Sequence, residues 1–434
     1  MIRRLLPILL LVVPSLQALS QEKDAAPARV YADLQLLSRG EIRDGGLPEA
    51  SNATGDHAAF VIGRTRLHIG YQRPHLEAKA IFQHVGIWGQ AGKGSLNIQQ
   101  AWVKLNTSGG LFAQLGRLAL AYDDERIIGP NDWSMAGITH DVLRAGFEGK
   151  QHKFHLVLAF NQNGENTLSG STYYTGGALP YKTMHLGWYH YDLPVAPLGL
   201  SLLALNIGMQ GGKPGKDEHI EWQQVVGAYA KYKPAKGSLE GSYYRQMGTD
   251  EKGARLDAWM ASVKGTLDPW AILGFEAGYD YLSGDKTFAV PGPGLIGLTR
   301  HDVLRGFNPI YGSHHAFYGA MDFFYVSTYV NGFTPGLQNA FAGVHISPVQ
   351  GMRINLSYHY LAIATQLEGV RSPTLGHELE MEASWRFMKD VSLSLGMSYM
   401  AGTETMQFLK RASEDGRLLW CWISLIASPR LFCR

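Results

Sequence analysis

The chain has 434 residues, of which 18% are charged and 11% aromatic, with 51 glycines, two cysteines and a formal net charge of +2. So many aromatics with so little charge exclude a disordered chain, two cysteines exclude a disulfide-stapled scaffold, and no apolar run beyond the N-terminus approaches the roughly 20 residues of a spanning helix. A glycine share well above the usual ~7%, with a mean hydropathy of −0.11, leaves a β-protein, soluble or membrane-embedded.

Residues 1–20 combine basic Arg3 and Arg4, an apolar stretch from Leu5 to Val13, and Ala18-Leu19-Ser20 before Gln21. These are the features of a secretory signal peptide cleaved near Ser20. Losing Arg3 and Arg4 takes the 39 basic residues to 37, equal to the 37 acidic ones. A net-neutral chain has no electrostatic footprint for a nucleic acid. Residues 21–28 are expected to form a short periplasmic lead, and 29–434 the body of the protein.

From there period two dominates. Val61, Gly63, Thr65, Leu67 and Ile69 alternate with Ile62, Arg64, Arg66 and His68. Ala271, Leu273, Phe275, Ala277 and Tyr279 alternate with Gly274, Glu276, Gly278 and Asp280. Met352, Ile354, Leu356, Tyr358 and Tyr360 do so with Arg353, Asn355, Ser357 and His359, and Leu379, Met381, Ala383, Trp385 and Phe387 with Glu378, Glu380, Glu382, Ser384 and Arg386. Runs of about 10–14 residues exceed the five or six of an ordinary strand. Tyr, Trp and Phe often stand at the ends of the apolar faces, as a membrane girdle requires. Mid-strand charges that a dry sandwich core rejects suit a wet lumen.

Connections alternate between short turns (Gln72-Arg73-Pro74, Thr107-Ser108-Gly109-Gly110, Gly149-Lys150-Gln151, Pro234-Ala235-Lys236, Asp268-Pro269, Ser347-Pro348-Val349, Lys389-Asp390) and longer segments near 44–57, 121–138, 162–180, 209–220, 284–336, 365–376 and 402–417. The segment 317–330 looks strand-like, but parity of crossings places 284–336 as one large external loop, folded over or into the lumen. The expected fold is all-β: a transmembrane antiparallel up-and-down β-barrel of about 18 strands, with short periplasmic turns and long external loops. It is expected in the outer membrane of a Gram-negative-type bacterium, surrounded by outer-membrane lipid.

Candidate pore residues follow from this geometry. Arg117, Asp123, Asp124, Glu125 and Arg126 fall where a strand runs into a loop. They read as a charged constriction in which guanidinium forks bind carboxylates while neighbouring acids keep binding weak enough for release. The other reading is a salt-bridge cluster that pins the loop. Arg64, Arg66, Arg144, Arg353 and Arg386 fall on expected lumen faces, and rings of arginine suit anion pores. Glu378, Glu380 and Glu382 form an acidic ladder that either offsets Arg353 or repels anions, and Arg386 could pair with Glu380 or Glu382. Adjacent His314 and His315 would face opposite ways on a strand, and no metal-ligand spacing is present; no metal or cofactor is expected. There is no G-x-S-x-G elbow, Walker loop or H-E-x-x-H, so no enzyme is expected. Cys421 and Cys433 stand about 40 Å apart along one extended strand, beyond disulfide reach.

One stretch is more specific. Residues 116–133, GRLALAYDDERIIGPNDW, resemble the signature of the alginate-export porin family. THDVLRAGFEG (139–149), IYGSHHAFYGAMD (310–322), GLQNAFAGV (336–344) and LLWCWISLIASPRLF (418–432) fit the same pattern. The resemblance implies an 18-stranded outer-membrane barrel conducting an anionic uronate polysaccharide, with periplasmic export partners possible. The chain ends Leu431-Phe432-Cys433-Arg434 rather than on an aromatic, though Phe432 is near enough to serve. The main expectation is thus passive conduction of an acidic polysaccharide or saccharide through an Arg-lined lumen. The alternatives are a general or nutrient-uptake porin of the same fold, and a non-conducting surface barrel.

Overall fold

A computed structural model describes residues 27–44, 57–90, 92–165, 172–177, 179–286, 303–324, 334–367, 370–410 and 416–434. The expected signal peptide, most of the expected lead, and much of the 44–57 and 284–336 connections lie outside them.

Strands β1 (Arg29–Asp44), β2 (Ala58–Gln72), β3 (Leu76–Ile87), β4 (Ser95–Asn106), β5 (Leu111–Leu118), β6 (His140–Glu148), β7 (His152–Phe160), β8 (Tyr181–Asp192) and β9 (Leu198–Lys213) make the first half of the wall. β10 (Lys216–Tyr232), β11 (Gly237–Thr249), β12 (Arg255–Leu267) and β13 (Leu273–Leu282) continue it. A two-residue β14 (Val303–Leu304) runs parallel to the start of β12 without joining the wall. β15 (Leu337–Ile346), β16 (Met352–Ala362), β17 (Thr374–Met388), β18 (Val391–Gly402) and β19 (Arg417–Ala427) complete it, with helix α1 (Glu404–Lys410) between the last two and a short β20 (Arg430–Cys433) at the end.

Each wall strand pairs antiparallel with its neighbours, and β1 pairs with β19 from Leu36↔Ala427 to Asp44↔Leu419, closing an eighteen-strand barrel. Closure is what a sheet needs in lipid, where an open edge would leave backbone groups unsatisfied. β13 pairs directly with β15, so no wall strand intervenes, as parity requires.

Alternation sorts the side chains. On β7, Phe154, Leu156, Leu158 and Phe160 are exposed on the outer face, while His155, Val157 and Ala159 are buried inside. Leu111 and Leu115 of β5 face out, and Phe112 and Gln114 face in. The outward leucines and aromatics form the apolar band that hydrocarbon demands.

Three expectations need correction. The supposed loop at 209–220 is a continuation of β9 and β10 down to a turn at Pro214-Gly215. Its glycines are strand glycines: a Cβ at Gly211 would strike the His219 ring, and one at Gly208 the Ile220 and Trp222 side chains. The 402–417 connection carries α1. The interior is also not polar all round. Val157, Leu186, Leu203, Leu205, Ile207 and Val225 on β7–β10 bury their side chains against Leu120, Tyr122, Ile127, Ile128, Phe307 and Tyr311 from two connections. One sector of the lumen is a packed apolar core, each such side chain contributing about 1.5–3 kcal/mol.

Candidate functional site

The filler of that sector is the segment between β5 and β6. Its side chains reach the wall on opposite sides. Asp132 bonds Arg64 and Arg66 on β2 at 3.3 and 2.7 Å. Trp188 of β8 donates to Asp123 at 2.9 Å, and Tyr244 of β11 donates to Asp124 at 3.4 Å. Arg126 meets Asp280 of β13 at 2.8 Å, and Trp133 packs edge-on against Trp420 and Trp422 of β19. A segment touching β2, β8, β11, β13 and β19 can only run through the lumen.

The second inward segment, 303–324, docks on the first. Tyr311 N–H donates to the Ile127 carbonyl at 3.2 Å, and Gly129 N–H to the Tyr311 carbonyl at 2.8 Å. Ser313 donates its hydroxyl to Glu125 at 2.7 Å. Side chains are absent where the segments cross: a Cβ at Gly129 would strike Ser313, and one at Gly312 the Arg126 carbonyl. Among the described residues, Asp123, Glu125, Asn131, Tyr318 and Asp322 of these two segments hold left-handed backbone with φ between 43° and 66°, a conformation costing non-glycine residues roughly 1–2 kcal/mol. The docking contacts hold it in place.

Electrostatics follow from burial. Desolvation pushes the Asp123 carboxyl above its ordinary value, against the bonds from Ser201 and Trp188. Desolvation likewise raises Asp124, against the pull of the Arg126 guanidinium. Burial works against the charge of Arg126, but Tyr318, Asp280 and Asp124 around it outweigh that and hold it protonated. The Phe317 ring covers its guanidinium at 4.0 Å. The DDER group is thus bonded into the wall and the second segment, and its four residues also line the smaller lumen cavity.

The remaining candidates fall in different places. Arg64 and Arg66 are buried, with Arg66 also donating to Gln83 at 2.7 Å. Arg144 lies inside, its guanidinium 5.3 Å from the Phe112 ring centre. Arg353 faces the open lumen and donates to Asn355 at 2.9 Å. Arg117 does not face the lumen: it shares the outward face of β5 with Leu115 and forms a two-pronged pair with Asp141 at 2.8 Å. Glu378 accepts from Ser398 at 2.6 Å and from the Met321 N–H at 2.9 Å, and Glu380 accepts from the Ala320 N–H at 2.6 Å. The upper two acids of the ladder thus hold the second segment by its backbone instead of offsetting Arg353 or pairing with Arg386. Glu382 lines the lumen beside Arg353, and Arg386 is exposed near the short-turn end of β17. His315 stacks on Trp133 at 4.0 Å and bonds Asp322, while His314 turns to the Pro309 carbonyl. Cys421 and Cys433 are free.

Asp132, Asp280, Ser313, Lys264 and Glu276 were not singled out from the sequence. Glu276 and Asp280 stood on a polar face of the 271–281 alternation, and Asp132 and Ser313 lay inside the quoted stretches 116–133 and 310–322 without being singled out; nothing local marked Lys264. Among the described residues, two adjoining cavities of 330 and 540 Å³ lie against both segments inside the barrel. They share Glu125, Lys264, Glu276, His315, Ser357 and Glu380 as lining.

A closed eighteen-strand antiparallel barrel with an apolar outer band and loops folded into its bore is the fold of an outer-membrane porin. No protein-family model and no curated protein matches the chain. Solved structures do. The chain is similar to Pseudomonas aeruginosa OccK11 (OpdR), with a TM-score of 0.61 at 14% identity over 93% of this chain and 96% of that one. P. aeruginosa OpdQ gives a TM-score of 0.61 at 14% identity over 93% and 98%. P. aeruginosa OccK2 (OpdF) in complex with glucuronate gives a TM-score of 0.59 at 12% identity over 93% and 98%. These likenesses carry the fold. They overturn the alginate-export resemblance: the neighbours are Occ-type porins, and neither polysaccharide conduction nor export partners find support.

Proposed function

We propose that the chain is a nutrient-uptake porin for small polar solutes, with acidic monosaccharides the first class to test. The observation that carries this reading is the docking of the two inward segments inside the barrel, beside two adjoining cavities of 330 and 540 Å³. Such volumes fall in the range of roughly 300–1,000 Å³ that encloses a small molecule, which favours a small solute over an extended polymer. Polar lining favours hydroxylated solutes. The arginines favoured from sequence contribute less than expected, because Arg64 and Arg66 share Asp132 and Arg126 is held between Asp124 and Asp280. The OccK2 glucuronate complex supplies the choice of first probe.

The test is proteoliposome swelling with purified protein. Glucuronate and glucose are expected to enter, and a hexameric oligouronate to be excluded. Entry of the hexamer at a rate comparable to the monomer would overturn the proposal.

A further inference from the structure

Resting on the porin reading, we infer that charge selectivity is set by an alternating row of wall side chains centred on the Lys264–Glu276 pair, and not by the arginines. Lys231, Glu240 and Lys264 stand on β10, β11 and β12 in direct register, Lys231 opposite Glu240 and Glu240 opposite Lys264. Glu276 on β13 lies diagonally beyond, its near register partner being Thr266. The lysine ammonium groups lie 2.8 Å from the glutamate carboxylates in both the Lys231–Glu240 and Lys264–Glu276 pairs. On one face of a sheet such neighbours and diagonals interact strongly enough to order the row. The row is therefore a belt of charge, plus-minus-plus-minus, at one level of the lumen.

Two facts give Lys264 and Glu276 the deciding position. Both line the two cavities, so a solute crossing from one to the other passes them. Both remain partly exposed, with side-chain accessibilities of 33% and 27%. The other ionisable groups at that neck are committed: Glu125 to Ser313, His315 to Asp322 and Trp133, and Glu380 to the Ala320 N–H. The pair is neutral as it stands. A carboxylate solute can exchange into the Lys264 position while its hydroxyl groups donate to Glu276, so the barrier to an anion is partner exchange rather than bare desolvation. Neutralising either partner leaves the other as the charge that ions meet.

The experiment is reversal-potential measurement in planar bilayers under a KCl gradient. Lys264→Gln is expected to shift the reversal potential towards cation preference, and Glu276→Gln towards anion preference. The double variant is expected to return close to the parent, which also shows that the single variants conduct through an intact barrel. Channels that open but show no shift in either single variant would overturn the inference and leave the porin reading standing. So would a shift in Arg353→Gln larger than in Lys264→Gln. Parent protein that inserts and never conducts would overturn the porin reading itself.

Discussion

Arg126 and Asp280, 154 positions apart in sequence, meet at 2.8 Å with side-chain accessibilities of 5% and 1%. One belongs to a connection and the other to the wall, so the pair is the joint between them. Asp280 also accepts from Ser262 at 2.7 Å and Asn339 at 2.9 Å.

Losing the Asp280 carboxylate leaves buried Arg126 with Asp124 of its own segment at 3.2 Å and cuts its ionic tie to the wall. Asp280→Asn is expected to release the 119–139 segment from β13. Single-channel recording should show larger, noisier openings than the parent, and melting should begin at a lower temperature. Unchanged conductance would mean that the joint does not hold the segment.

Asp132 spans Arg64 and Arg66 with its own side chain 49% exposed, against 3% and 6% for the arginines. Asp132→Asn strips the countercharge shared by two buried guanidinium groups, which destabilises the docked segment and raises the positive charge along the lumen. Reversal potentials should move towards anion preference, and the limiting solute size in swelling assays should rise.

The Arg117–Asp141 pair sits on the outer face and is solvent- or lipid-accessible, with accessibilities of 43% and 54%. Arg117→Ala should leave ion selectivity unchanged within error and alter stability by no more than about 1 kcal/mol. A selectivity change would place this side chain in the permeation path after all.

Burial holds the His314 imidazole below its ordinary value. Its folded value therefore lies below its unfolded one, so its contribution to docking is complete above about pH 6.5 and is lost as the pH falls through the folded value. Protection from hydrogen exchange over 305–324, corrected for the intrinsic pH dependence of exchange, should fall as the pH drops below about 6.5. His314→Gln, which cannot gain a proton, should flatten that dependence.

The barrel was legible because lipid and water impose alternation on every wall strand. The polar face carrying Glu276 and Asp280, and the parity placing 284–336 outside the wall, both followed from it. The hairpin around Pro214-Gly215 was not legible, since its glycines make room for His219 and Trp222 across the ladder instead of ending the strands. The apolar lumen sector was missed because Leu203, Leu205 and Ile207 face a connection rather than water. The site was the least legible part. Asp132 finds Arg64 from 68 positions away, and Ser313 finds Glu125 from 188. The two stretches that stood out as family-like, 116–133 and 310–322, are the ones that dock on each other. They pack on each other and line the lumen cavities.

The core of Leu120, Ile127, Phe307 and Tyr311 inside β7–β10 gives the molecule two kinds of interior with different solvents. The outer shell is held by lipid and by strand pairing, which detergent and heat disturb little. The inner one is an ordinary water-excluded nucleus, which weakens with chaotropes in proportion to the surface it uncovers. The protein should therefore come apart in two stages: near-ultraviolet dichroism from the lumen aromatics should be lost at a urea concentration where the β-signal of the wall is still intact.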